Sequence, residues 1–252
     1  MKKTVYGFSK IAADLSVKDH PQFNEKFDFI ANEDLTAAAT LARNFDFILL
    51  GDGDYEQFRP LIKAIGWKIN HLSVADLIVR EANHYRPMNL EADCILHAIQ
   101  THMVTMSTST TVLVIGYFDF VLSVAAKLAL AGFSKFIISL ANDSQFTIIK
   151  KRLAEFIFNL DIKYVSLNEL TQIQQTSSLL ISNLSEKVNQ EAYESLTYFN
   201  FLSAGGVFVD AHSQSNTSLI EEARRAELNV IEESEILTLK FKTMVDLSKN
   251  PS

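Results

Sequence analysis

The sequence predicts an α/β protein: a small, parallel-rich first domain followed by a doubly wound sheet. Three observations carry this expectation. Short apolar runs alternate with helical patterns along the 252 residues. Runs such as Phe45–Leu50 and Val112–Ile115 are apolar without alternation, as in strands covered on both faces. Between them Thr105–Thr111 (TMSTSTT) is polar and lacks a helical period, which sets a junction there. The composition, 48% hydrophobic and 21% charged, is that of a globular chain rather than a disordered or fibrous one.

In the first half, Thr4–Phe8 and Phe27–Ala31 read as strands. Asp34 is expected to cap an alanine-rich helix, Leu35 to Arg43. Phe45–Leu50 follows as a buried strand. Glu56 to Ile65 then carries apolar residues at helical spacing and is closed by Gly66. Ile69–Val74 is the next expected strand, and Pro87 is expected to open a long helix through Ile99. This βαβα order predicts parallel pairing with right-handed crossovers.

The second half repeats the pattern more clearly. Strands are expected at Val112–Ile115, Phe136–Leu140, Lys163–Ser166, Leu179–Ser182, Val207–Asp210 and Asn229–Ile231. Helical patterns fall at Val121–Ala131, Phe146–Phe158, Leu219–Glu227 and Ser234–Leu247. Six strands with intervening helices make a Rossmann-type sheet. The expected division is a substrate-type domain over 1–105, a Rossmann-like domain over 106–235, and a C-terminal helix over 236–252 returning to the first domain.

Charge and cysteine content exclude several functions. The net charge is −7, so neutralising nucleic-acid phosphates is not expected. Cys94 stands alone and forms neither an internal disulfide nor a CxxC metal site. His97 and His102 are five apart with no third ligand, so no metal is expected. The longest apolar stretch, Thr110 to Ala126, contains Asp119 and is short for a membrane span. No basic-then-apolar leader is visible, and a cytoplasmic protein is expected.

Several segments resemble the shikimate dehydrogenase family, in the family's order and over nearly the whole chain. Val207 to Leu247 is similar to its strand-aspartate, Thr-x-Leu-Leu helix and Gly-x-x-Met-Leu helix. Asn89 to Ile99 lines up with its Asn-Thr-Asp-Gly connecting helix. Asp14 to His20 (DLSVKDH) has the spacing of its Ser-Leu-Ser-Pro-x-x-His segment, which holds the substrate carboxylate. The resemblance implies substrate contacts at Ser16, His20 and Asn70, with Asp14 replacing a serine. It places Lys240 in the slot of the final helix's glutamine, and His212 or Ser213 near that of a substrate tyrosine.

Where chemistry would occur, this chain departs from the family's pattern. The glycine-rich loop reads GYFDFV, Gly116 to Val121; only Gly116 survives, and Phe118 and Asp119 replace glycines. Backbone approaches a pyrophosphate only where no Cβ intervenes, and an acid at a helix N-terminus repels a diphosphate. After the next strand, Leu140-Ala141-Asn142-Asp143 carries no cation for a 2′-phosphate; Lys150 and Lys151 read as a solvated face. No lysine occurs between Lys26 and Lys63, so the family's catalytic lysine is missing and Tyr55 or Glu56 falls near its slot. Its aspartate partner becomes Glu91. Candidate proton carriers are therefore Glu91 and Tyr55.

The sequence thus points to a divergent member without the standard NADP site, and no cofactor is expected in that pose. It would act as a binding or regulatory protein, taking a small acidic ligand in the interdomain cleft or a protein partner. The alternative is an NAD- or NADP-dependent oxidoreductase acting on shikimate or a similar hydroxy acid. No nucleic acid or membrane is expected as a partner.

Overall fold

The computed structural model describes residues 2–9, 16–31, 34–62, 72–82, 84–102, 107–157, 159–173, 176–184, 194, 196, 199, 201–211 and 217–249. The chain divides into two compact units, Met1–Cys94 with Leu237–Ser252, and Ile95–Ile236.

The first unit is built on a five-stranded sheet in the order β2-β1-β3-β4-β5. Its strands are β1 (Lys3–Gly7), β2 (Phe27–Ile30), β3 (Phe47–Leu49), β4 (Leu77–Glu81) and β5 (His84–Met88). β1 pairs in parallel with β2 and β3, as the βαβα order predicts. β4 and β5 are antiparallel, and here the sequence reading needs correction. Residues 69–71 lie outside the described residues and Leu72–Val74 is not a strand; the strand begins at Leu77. Only two residues separate β4 from β5, too few for a parallel crossover but enough for a hairpin. Pro87 therefore sits in β5, not at a helix start, and is tolerated because β5 is an edge strand.

Aromatic side chains fill one core of this unit. Tyr6 stacks on Phe45 at 4.6 Å, and Phe8 meets Phe58 edge-on at the same distance. The expected alanine-rich helix runs over Ala37–Ala42, and its cap is Thr36, not Asp34. Thr36 has extended backbone and accepts the Ala39 N–H, whereas Asp34 has a φ of 55°. The helix expected from Glu56 is described over Tyr55–Phe58, and residues 63–70 lie outside the described residues.

The second unit has six strands in the order β11-β10-β9-β6-β7-β8, all parallel. They are β6 (Thr111–Gly116), β7 (Lys135–Leu140), β8 (Asp161–Tyr164), β9 (Ser177–Ser182), β10 (Leu202–Asp210) and β11 (Asn229–Ile231). Counted within this sheet the order is 3-2-1-4-5-6 from its β8 edge, the doubly wound Rossmann arrangement. β6 is buried along its whole length, which explains its unalternating TVLVIG. Helices Phe118–Leu130, Phe146–Phe156 and Thr217–Arg225 connect the strands. The last helix, Glu233–Lys249, passes from the second unit into the first at Leu237.

Candidate functional site

The turn after β6 is where a Rossmann sheet receives a dinucleotide. Gly116 ends the strand as expected, but for a local reason. Its φ is 154°, and a Cβ there would lie 1.8 Å from Asn183 Oδ1. That same oxygen accepts the Tyr117 N–H at 3.2 Å. The glycine admits the asparagine that follows β9, and the turn is tied by the protein's own side chain.

The helix begins at Phe118, with Tyr117 at its cap position making no side-chain capping bond. Asp119 is the second helical residue, half-buried in the first turn. Phe118 is buried, and the Arg152 guanidinium lies 5.2 Å from its ring centroid. After β7, Asn142 accepts the Ser144 N–H and organises a short 3-10 turn, while Lys150 and Lys151 are exposed. In a Rossmann sheet the backbone of this turn approaches a pyrophosphate; here positions 118 and 119, the first two residues of the helix, carry side chains, and one of them is an acid. At 4 Å, with an effective dielectric of 20, one like-charge pair costs on the order of 4 kcal/mol.

A second cluster lies within the first unit, at the start of the connecting helix, Leu90–His102. Asp76, just before β4, accepts the Leu90 N–H on Oδ1 at 2.6 Å and the Glu91 N–H on Oδ2 at 2.7 Å. It thereby caps that helix with a carboxylate, favourable for the helix dipole as well as for the free N–H groups. Glu91 receives the Lys240 ammonium on Oε1 at 2.8 Å. Lys240 is 9% exposed. Burial alone would lower its pKa, but the carboxylates of Glu91 and Asp76 outweigh burial and raise it, so it stays a cation. Lys240 is thus neither a solvated lysine nor an unmatched cation awaiting an acidic ligand.

His20 stacks on Phe241 with ring centroids 4.0 Å apart, and its Nδ1 accepts the Gln22 N–H at 3.3 Å. Ser16 opens a short 3-10 turn, Ser16–Asp19. Asp14, Asn70, His212 and Ser213 lie outside the described residues. Tyr55 is fully buried, its hydroxyl has no hydrogen-bond partner among the described residues, and burial raises its pKa. It is a core residue, unsuited to exchanging a proton with substrate at neutral pH. In the acidic loop, Asp54 turns inward and accepts the Gly51 N–H at 2.7 Å, while Asp52 and Glu56 remain exposed. Burial pushes the Cys94 thiol up to about 12, as for an inert core cysteine. His102 pairs with Glu235 at 2.9 Å, and among the described residues no three side chains are grouped to hold a metal. Among them too, no helix is long and apolar enough to cross a membrane.

Both units match one group of solved structures. Quinate dehydrogenase from Corynebacterium glutamicum, in complex with NAD, superposes with a TM-score of 0.76 at 10% identity, covering 98% of this chain and 93% of that one. The fold is that of the shikimate and quinate dehydrogenases. Shikimate 5-dehydrogenase from Listeria monocytogenes, in complex with shikimate and NAD, gives 0.74 at 9% identity over 98% and 91% of the two chains. Shikimate dehydrogenase from Mycobacterium tuberculosis gives 0.70 at 14% identity over 98% and 94%. No protein-family model matches the sequence, and no curated protein matches it. The shikimate dehydrogenase likeness therefore rests on fold.

Sequence reading missed Asp76, Asn183 and Arg152. Asp76 had only a weak signal, an acid just ahead of a β-rich run, because Asn89 before the helix already reads as its cap. Asn183 and Arg152 had none, since each acts on a partner more than 30 residues away.

Proposed function

We propose that this chain is a divergent protein of the shikimate dehydrogenase fold that lacks the standard NADP pose and the family's catalytic lysine, and works as a binding or regulatory protein. The observation that carries this reading is the turn after β6, with Phe118 buried and Asp119 in the first helical turn. A pyrophosphate there would meet a side chain where the backbone should be bare, and a negative charge where N–H groups should be free of one. On the substrate side, the residues offered to a small ligand are Ser16, His20, Asn70 and the Glu91–Lys240 pair. Because Lys240 is already matched, that pair suits a hydroxyl, which can accept from the ammonium and donate to the carboxylate. A protein partner at the same unit is the other occupant compatible with this reading.

The second reading is an NAD(P)-dependent oxidoreductase acting on shikimate or a similar hydroxy acid. It draws on the likeness to dehydrogenases solved with NAD. It also draws on the 2.8 Å pairing of Glu91 with Lys240, a carboxylate and an ammonium placed to hold a substrate hydroxyl. Calorimetric titration with shikimate and quinate, alone and with NADP or NAD, separates the two. The first reading expects any heat of binding from the hydroxy acids to be unchanged by dinucleotide, with no absorbance change at 340 nm. Dinucleotide-dependent turnover would overturn it in favour of the oxidoreductase.

A further inference from the structure

The second unit carries a cleft at the end of its sheet where the strands begin. Between Leu202 and Val207, β10 advances five residues while β9 advances two, Ser177 to Leu179. The surplus residues of β10 leave the ladder as a bulge. Gly205 turns it with a φ of 70°, and a Cβ at Gly206 would lie 2.9 Å from the Ser203 carbonyl oxygen. Asn229, the first residue of β11, holds the bulge through its side-chain N–H, which donates to the Gly205 carbonyl at 3.0 Å. The turn leading into β6 forms the other wall, closed by the Thr110 N–H on the Ser107 carbonyl at 3.2 Å. The space so enclosed is about 430 Å³.

The lining decides the chemistry. Ser107, Ser109 and Thr110 line one side, and Ser178, Ser203 and the bulge backbone line the other. The Ser203 hydroxyl lies 3.2 Å from the Ser177 carbonyl and 3.3 Å from Ser178 Oγ, and can donate to either. The Ser107 and Ser109 hydroxyls share one hydrogen bond of 2.7 Å. A hydroxyl has one proton and two acceptor positions, so each serine pair keeps a donor and acceptors for a guest. Among the described residues, none that lines the cleft is charged, and the chain carries a net charge of −7. An oxyanion would meet no cation here. An apolar guest would cover the hydroxyls without replacing their hydrogen bonds to water.

We infer that this cleft binds a small, neutral, polyhydroxylated molecule, a sugar or a cyclitol. Its volume falls within the range of small-molecule sites, roughly 300–1,000 Å³. A ring with a hydroxyl on nearly every carbon offers paired donors and acceptors, the same groups that the serines and the threonine present. The cleft lies at the N-terminal end of the parallel strands, whereas a Rossmann sheet receives a dinucleotide at their C-terminal end. Its occupancy is therefore independent of whether the turn after β6 admits a cofactor.

The test is saturation-transfer NMR of the full chain with myo-inositol, D-glucose and inorganic phosphate, for the wild type and two variants whose fold is checked by circular dichroism. Saturable binding of at least one of the two polyols is expected, with a Kd on the order of 1 mM. Ser178→Ala combined with Ser203→Ala removes two hydroxyl partners and should weaken binding about tenfold. Ala204→Trp, at an exposed position of the bulge, should abolish binding by filling the cleft. If the double variant does not fold, Ala204→Trp decides the matter. No saturable binding of either polyol, binding that persists unchanged in either variant, or tighter binding of phosphate than of both polyols would overturn the inference.

Discussion

A methyl group at position 116 would sit 1.8 Å from Asn183 Oδ1, inside any tolerable contact. Gly116→Ala is therefore expected to lower stability by about 1–3 kcal/mol in urea denaturation with no ligand present. Adding Asn183→Ala should restore part of that loss, because the clash has one partner; strict additivity of the two changes would contradict this account. Lys240 gives the complementary case at the same scale. Lys240→Met strands the Glu91 carboxylate and should cost on the order of 2–3 kcal/mol at pH 7, less than a fully buried pair because Glu91 keeps a 21% exposed side chain. The sequence showed Gly116 and Lys240 as positions but not their roles. Each role is set by a side chain distant in sequence, and single-chain periodicity holds no record of such pairings.

Among the elements, the second unit was legible almost strand by strand. Its runs are apolar without alternation, the pattern of strands covered on both faces, and that pattern is legible from the sequence alone. The first unit was legible through β3 and then misread. Leu77–Glu81 and His84–Met88 are β-rich runs separated by two residues, one of them Asn83, which is a hairpin signal. Pro87 masked it by suggesting a helix start, since proline suits a first helical turn as well as an edge strand. The misplaced cap is a smaller error of the same kind. Asp34 and Thr36 are both capping residues, and only the backbone decides: extended at Thr36, left-handed at Asp34. Thr36→Ala should then cost about 1 kcal/mol, whereas Asp34→Ala should cost no cap energy, measured as the difference in chemical-denaturation midpoint.

For the molecule as a whole, fold and chemistry separate. The order of six parallel strands and the return of the last helix to the first unit are those of a dehydrogenase scaffold, and scaffold alone does not fix activity. Val121 is fully buried beside the turn after β6, so placing glycines at 118, 119 and 121 together would hollow the second unit. The unaltered protein gives the cleaner answer. The measurement that tests the central claim most directly is equilibrium titration of the wild-type chain with NAD and NADP up to several millimolar, followed by calorimetry. The account predicts no saturable binding of either below about 1 mM, because a penalty of about 4 kcal/mol takes micromolar affinity to the millimolar range. Saturable binding of either dinucleotide with a submillimolar Kd would contradict it.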